Sequence, residues 1–311
     1  MLHLRLIVPA DRTEEVVRTV ESTVGTAHLA VLPGAARNPV GDLVLCDVAR
    51  EAGDGLIAEL RSIGLDRDGS IAVDHIDLSI SKRADKAEAE APGEGADAVL
   101  WESLTDATHE ESTLSITYVA FLAVATMLAA CGVMLDNAIL IVGAMAVGPE
   151  FGPLAGISTA LVRRAPRLVG RSLLALVVGF ASAMLLTAGF GWLMEVLGLF
   201  DKSMIEAPRP NTAFIFRPDW MSFVVAFLAG IAGTLSLTSA KSGALIGVAI
   251  SVTTVPAAAN AAMAFSYQDY GQTWGSSWQL LANLGGIVLS GTLTLLAQKV
   301  FWASQRKRQL P

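Results

Sequence analysis

Glu150 carries the chemistry that the rest of this sequence has to explain. It lies in Val147-Gly148-Pro149-Glu150-Phe151-Gly152-Pro153, inside an apolar run from Asn137 to Val162. A carboxylate in a segment apolar enough for hydrocarbon is costly, and such a residue marks an ion or solute path by default. Pro149 and Pro153 remove backbone donors and open the helix, which frees carbonyl oxygens beside the acid. A packing role competes with this one. Gly148, Gly152 and Gly156 repeat a small-xxx-small spacing that lets a neighbouring backbone approach closely. Packing accounts for the glycines but not for the acid. A second interruption, Thr253-Thr254-Val255-Pro256, sets two hydroxyls beside a proline. Together with Glu150 and the freed carbonyls, these oxygens suit a cation or a proton relay. Asn260 and Asn283 either line the same path or bond helix to helix, the commoner task. The candidate transport or ion-binding residues are therefore Gly148, Pro149, Glu150, Pro153, Thr253, Thr254, Pro256, Asn260 and Asn283, with no metal site and no catalytic set among them.

The elements that must hold these residues are set by composition. The chain is 53% hydrophobic and only 16% charged, with the charge gathered in the first third and at a few boundaries. It reads as a polar part to about Ser112 and a membrane part after it. Six spans are expected: about Leu114 to Leu135, Ala138 to Val162, Leu168 to Leu197, Met221 to Leu237, Ala244 to Phe265 and Trp278 to Trp302, each near the length a bilayer requires. With the N-terminus inside, Arg163, Arg164, Arg167 and Arg171 fall at a cytoplasmic turn, Lys241 at another, and Arg306-Lys307-Arg308 in a cytoplasmic tail. Every short connection then obeys the positive-inside rule. The longer Asp201 to Asp219 loop lies outside and is nearly balanced in charge. Glu195 sits near the outer end of its span, and Asp136-Asn137 caps a tight turn.

The membrane part also repeats. At an offset of 107, Pro149 pairs with Pro256, Leu174 with Leu281, Gly179 with Gly286 and Thr187 with Thr294; at 106, Phe121-Leu122-Ala123 pairs with Phe227-Leu228-Ala229. Such agreement points to a duplicated unit. Three spans per copy is an odd number, so the second copy enters from the opposite side. Inverted repeats of this kind recur in secondary transporters, with sites near the midplane at broken helices.

The polar part reads βαββαβ. Leu2 to Val8 alternates as a half-buried strand, and Asp11 starts a helix whose stripe is Val16, Val17, Val20 and Val24, stopped by Gly25. Strands follow at Ala27 to Leu32 and Leu43 to Val48, a helix at Gly53 to Ile63 and a strand at Ile71 to Ile80. This is the order of a ferredoxin-like split βαβ, with both helices on one face. The expected boundaries are a ferredoxin-like cytosolic domain at 1-80, a flexible linker at 81-97, an amphipathic interfacial helix at 98-112 anchored by Trp101, a six-helix transmembrane domain at 113-303 and a basic tail at 304-311. Leu2 to Val8 is too short for a signal peptide and lacks a cleavage site. The net charge of -7 argues against nucleic acid as a partner. Cys46 and Cys131 form no framework, and the four histidines show no ligand spacing.

Several stretches are similar to a known family. Asp136-Asn137-Ala138-Ile139-Leu140-Ile141-Val142-Gly143-Ala144-Met145 runs into Gly148-Pro149-Glu150-Phe151-Gly152-Pro153; Gly247-Val248-Ala249-Ile250 runs to Val255-Pro256; Leu281-Ala282-Asn283-Leu284 follows. Over about Glu110 to Leu296 the chain resembles the bacterial and archaeal membrane proteins grouped as domain-of-unknown-function family 389. The resemblance implies membrane architecture, with a hydrophobic residue in many relatives where this chain has Glu150. It implies no activity. The expectation is a membrane all-α bundle of six transmembrane helices in two inverted three-helix repeats, plus an N-terminal α+β ferredoxin-like domain. Its function would be to transport or conduct a small solute or ion across a bacterial plasma membrane, as a homo-oligomer gated or assembled by the cytosolic domain. The alternative is a membrane-anchored sensor or scaffold whose ferredoxin-like domain binds a small ligand. An enzyme acting on lipid ranks third, because no acid/base pair or nucleophile is visible.

Overall fold

The computed structural model describes residues 1–76, 78–91, 99–217, 219–239 and 252–307. The chain divides into two compact units, the first built on Met1–Ser103 and the second beginning at Leu104.

The first unit is a four-stranded antiparallel sheet with helices. Its elements are β1 (Leu2–Val8), α1 (Thr13–Ser22), β2 (Thr26–Arg37), β3 (Val40–Val48), α2 (Arg50–Ser62), a short α3 (Leu65–Asp68), β4 (Ser70–His75) and α4 (Lys82–Glu90). The strand order is β2-β3-β1-β4. Period-two alternation turns Leu2, Leu4, Leu6 and Val8 to one face, where they are fully buried. Leu2, Leu4 and Leu6 face Val48, Cys46 and Val44 directly across the ladder. Val16 and Val20 of α1 and Leu56, Ile57 and Leu60 of α2 join the same core, so both helices cover that face. Each such buried side chain contributes roughly 2 kcal/mol. Burial also pushes the Cys46 thiol up to about 12, which leaves it unreactive. On the opposite face Asp47 bridges two histidines, accepting from His3 Nδ1 and His28 Nδ1 at 2.7 Å each.

Four expectations for this unit need correction. Asp11 does not cap α1; the N-cap is Arg12, with no side-chain capping bond. The second strand does not stop at Pro33-Gly34 but runs on to Arg37, because Gly34 takes a left-handed φ of 62° and donates its N–H to Asp42 at 2.8 Å. The segment read as a flexible linker is helical over Lys82–Glu90, started by Ser81, whose hydroxyl accepts from the Arg83 and Ala84 amides. Its buried face is made of Ala84 and Ala87, too small to register as an apolar stripe in sequence. The fourth strand ends at His75, short of Ile80.

The second unit is helical: α5 (Trp101–Glu111), α6 (Ile116–Met134), α7 (Ala138–Val147), α8 (Phe151–Arg163), α9 (Pro166–Val196), α10 (Lys202–Glu206), α11 (Trp220–Thr238), α12 (Thr254–Ser266) and α13 (Tyr270–Lys307). Among the described residues four helices are long and apolar enough to cross a bilayer: α6, α9, α11 and Tyr270–Trp302 of α13. The pair α7 and α8 meets the same test with a 53° bend at its break and makes a fifth if counted as one span. The expected span from Ala244 lies partly outside the described residues; its remainder is α12. The last helix starts at Tyr270, so the expected Ser266 to Ser277 loop is mostly helix.

The two short helices sit deepest. Every residue of α12 from Thr254 to Ala264 is buried, and it packs against α6, α9 and α7, as a helix apolar all round must. Gly156 of α8 lies so close to the hydroxyls of Ser112 and Ser172 that a methyl there would strike both. Gly230 presses likewise on Ser290 and on the Ile287 backbone. These small residues let helices approach closely where lipid supplies no hydrophobic drive. Helices of equal length recur: α6 and α11 have 19 residues each, and α8 and α12 have 13 each. Ile116 and Trp220 stand 104 positions apart, as do Pro166 and Tyr270, while Phe151 and Thr254 stand 103 apart. Letter matches had placed the register at 106 to 107. In sequence rich in Ala, Leu and Gly such identities arise cheaply, and the helix starts are the firmer guide.

Candidate functional site

Pro149 ends α7 and Glu150 occupies the N-cap position of α8. The acid is 6% exposed. Its Oε1 accepts a hydrogen bond from the Thr254 hydroxyl at 2.6 Å, and its Oε2, equally buried, has no hydrogen-bond partner among the described residues. Thr254 is the first residue of α12, so the two breaks expected from sequence meet at this bond. Gly148 is required here, because a methyl in its place would collide with Oε2 and with Val255. The Tyr118 hydroxyl, on α6, is a second buried group without a partner. Pro153 and Pro256 both fall at the third residue of their half-helices, where a missing N–H costs little.

Two cavities flank the pair. The first, about 480 Å³, is lined by Glu110, Glu111, Thr113, Ser115, Thr117, Tyr118 and Phe121 at the start of α6 and by Ala146, Gly148, Pro149, Phe151 and Gly152 at the first break. The second, about 290 Å³, is lined by Phe214, Asp219, Met221, Ser222, Val225 and Ala226 at the start of α11, by Val252 and Thr253 at the second break and by Asn283. Glu150 and Thr254 are in neither lining, but their chain neighbours Pro149 and Thr253 are in one each. Thr253 accepts from Asn283 Nδ2 at 3.0 Å, and Asn283 accepts in turn from Gln279 at 3.4 Å. Gln279 was not singled out in sequence; only its position four residues before Asn283, on one helix face, could have flagged it.

Asn260 belongs to a different cluster. Its Oδ1 accepts from Arg209 Nη1 at 2.9 Å and its Nδ2 donates to Ser276 at 2.7 Å. Arg209 also donates to Gln272, which donates to the Ile205 carbonyl at 3.1 Å. The guanidinium lies 4.8 Å from the centre of the Phe216 ring and is 4% exposed. Desolvation lowers its pKa, opposed by Asp136 and Asp269 nearby. The loop read from sequence as an outer connection of balanced charge thus folds inward. It is tied down at Asp136, which accepts from Thr212 at 2.8 Å and from Asn211 at 2.9 Å. Burial pushes Asp136 up, but those hydrogen bonds prevail and hold it below the usual carboxylate value. Asn137 caps α7 as expected, accepting from the Ile139 and Leu140 amides.

At the first cavity Glu111 packs against Gly152. Desolvation raises its pKa, with a smaller push from Glu110. The helix carrying it, α5, is fastened within the helical unit: Ser172 donates to Ser112 at 2.9 Å, and Arg171 reaches His109 and Thr113. The arginine cluster read as a topology signal therefore also holds this helix.

The apolar helices are those of a membrane protein, with Glu150 buried where the break between α7 and α8 meets the start of α12. Residues 145–289, within the helical unit, match the model of a family described as domain of unknown function (DUF389). The chain is 22% identical over 226 residues to an uncharacterised protein, MJ0678, of Methanocaldococcus jannaschii, a likeness spanning 71% of this chain and 68% of that one. No solved structure matches the chain.

Proposed function

We propose that this protein is an integral membrane transporter or channel for a small solute or ion, with Glu150 at its working site. The observation that carries the reading is the acid itself: a carboxylate closed off from solvent, with one oxygen lacking a hydrogen-bond partner among the described residues, set between two cavities. An unpaired buried carboxylate is costly to maintain, and in a membrane protein that cost is characteristic of a residue that exchanges partners in its working cycle.

The chain path supports two routes to it. A 53° bend leaves α7 and α8 running onward, whereas a re-entrant loop needs a near reversal, so we count the pair as one broken span. Three crossings then separate the start of α6 from the start of α11, and the two cavities open on opposite membrane faces. Equal helix lengths and a shared spacing support two three-helix halves of inverted sense, the arrangement of secondary transporters. Positive-inside charge at Arg163, Arg164, Arg167 and Arg171 puts the first cavity and the N-terminal unit in the cytoplasm.

The strand order and the packing of α1 and α2 on one face support a ferredoxin-like fold for the N-terminal unit. We assign it to gating or to pairing of subunits. Flux into proteoliposomes tests the main reading. Wild-type protein moves the solute or ion, and Glu150→Gln, which keeps the size and removes the charge, stops it while the protein stays folded. Unchanged flux in that variant removes Glu150 from the mechanism.

A further inference from the structure

The Glu150–Thr254 bond joins residues 104 positions apart. That is also the spacing between the starts of α6 and α11. The same spacing relates the two cavities wall for wall. Ser115 and Asp219, Tyr118 and Ser222, and Gly148 and Val252 are three such pairs, one member in each lining. Where two halves of a chain are related by a twofold axis, only groups on or beside that axis touch their own counterparts. We infer that Glu150 and Thr254, each within one residue of the other's counterpart position, lie beside the pseudo-twofold axis of two inverted halves and form one central seat for a single monovalent positive charge, an alkali cation or a proton, reached in turn from the two cavities. This rests on the transport reading and names its ligand class and stoichiometry.

The sign and size of the charge follow from the residues present. The charged residues in the two linings are Glu110 and Glu111 in one and Asp219 in the other, so both approaches favour cations. At the seat there is one carboxylate; the groups around it are neutral oxygens. Thr254 Oγ1 donates to Oε1 yet keeps a lone pair for a cation, and the Tyr118 hydroxyl is unpartnered. One positive charge neutralises one carboxylate. A divalent ion would leave net charge in a buried place, where unpaired charge is least tolerated. Gly148, by lacking a side chain, opens the unpartnered Oε2 toward the first cavity.

The full-length protein in nanodiscs, titrated with NaCl, KCl or CaCl₂ at constant ionic strength while a pH dye follows proton release, tests this. We expect one Na⁺ or K⁺ per chain with release of one proton, or reversible uptake of one proton alone. The first result identifies an alkali-cation seat and the second a proton seat. Glu150→Gln should remove the event, weakening it by at least about tenfold, and Glu150→Asp should restore part of it. Two ions per chain, preference for Ca²⁺, an unchanged Glu150→Gln, or no event of either kind overturns the inference. The axis is tested by exchange: Glu150→Thr alone abolishes binding, and adding Thr254→Glu returns it. A folded double variant that still fails to bind places the acid away from the axis and overturns that part. Binding without flux in proteoliposomes would leave the seat standing and defeat the transport reading; flux without Glu150-dependent binding would do the reverse.

Discussion

The starts of α8 and α12 meet at one hydrogen bond yet carry different chemistry. At the first break the functional group is an acid, left half unsatisfied, with a wide cavity on its flank. At the start of α12 the side chains bond to one another: Thr253 with Asn283, and further along α12 Asn260 with Arg209 and Ser276. One break is therefore poised to change partners and the other is braced. On the transport reading proposed above, the polar bracing of α12 would supply the rigid partner against which the other side moves.

The largest expected effect is on the poised side. Glu150→Gln should cut flux by about two orders of magnitude with little change in thermal stability, read in proteoliposomes and by differential scanning; equal loss of both would make the acid a structural prop. Next comes packing: Gly156→Val should destabilise the helical unit by about 3 kcal/mol, since the added atoms meet Ser112 and Ser172 at once. On the braced side, Arg209→Met should cost about 2 kcal/mol by leaving Asn260 and Gln272 acceptors buried without a donor. Asn283→Leu, which strips one hydrogen bond from Thr253, should cost about 1 kcal/mol. Denaturant titrations in detergent rank these three, and a result in which Asn283→Leu exceeds Arg209→Met would place the brace at the wrong end of α12.

The smallest effect is one of sign. Glu111, beside the first cavity, has its pKa raised from 4.5 by desolvation. Its ionised form is thus disfavoured in the fold, and its contribution declines as pH rises past that value. Asp136, fastening the loop near the braced helix, has a pKa held below 3.8. Its contribution is present above 3.8 and is lost as pH falls through the lower, folded value. Glu111→Gln and Asp136→Asn should therefore flatten the pH-stability curve on opposite sides.

The sequence disclosed both breaks because proline and a lone acid stand out against hydrocarbon. It also disclosed the N-terminal strand and helix order, because Leu2, Leu4, Leu6 and Val8 alternate cleanly. What it hid has physical causes. Arg209 looked like a solvated loop charge, since the partners that bury it, Asn260 and Gln272, are more than fifty positions away. The α4 helix was hidden because alanines alone form its buried face. Helix starts were hard to place because residues that serve small-residue packing repeat everywhere, whereas caps such as Ser115 and Asp219, each accepting from an amide three residues on, mark where helices begin.

On the inference of two inverted halves, the Glu150–Thr254 contact also bears on descent. Before two such halves were joined in one chain, each would have met an identical copy, and whatever stood beside the axis faced its own like. Two carboxylates so placed would repel, while two threonines would sit together comfortably. Divergence of the halves would free one side to carry the acid, and ancestral half-length forms should carry a hydroxyl there instead.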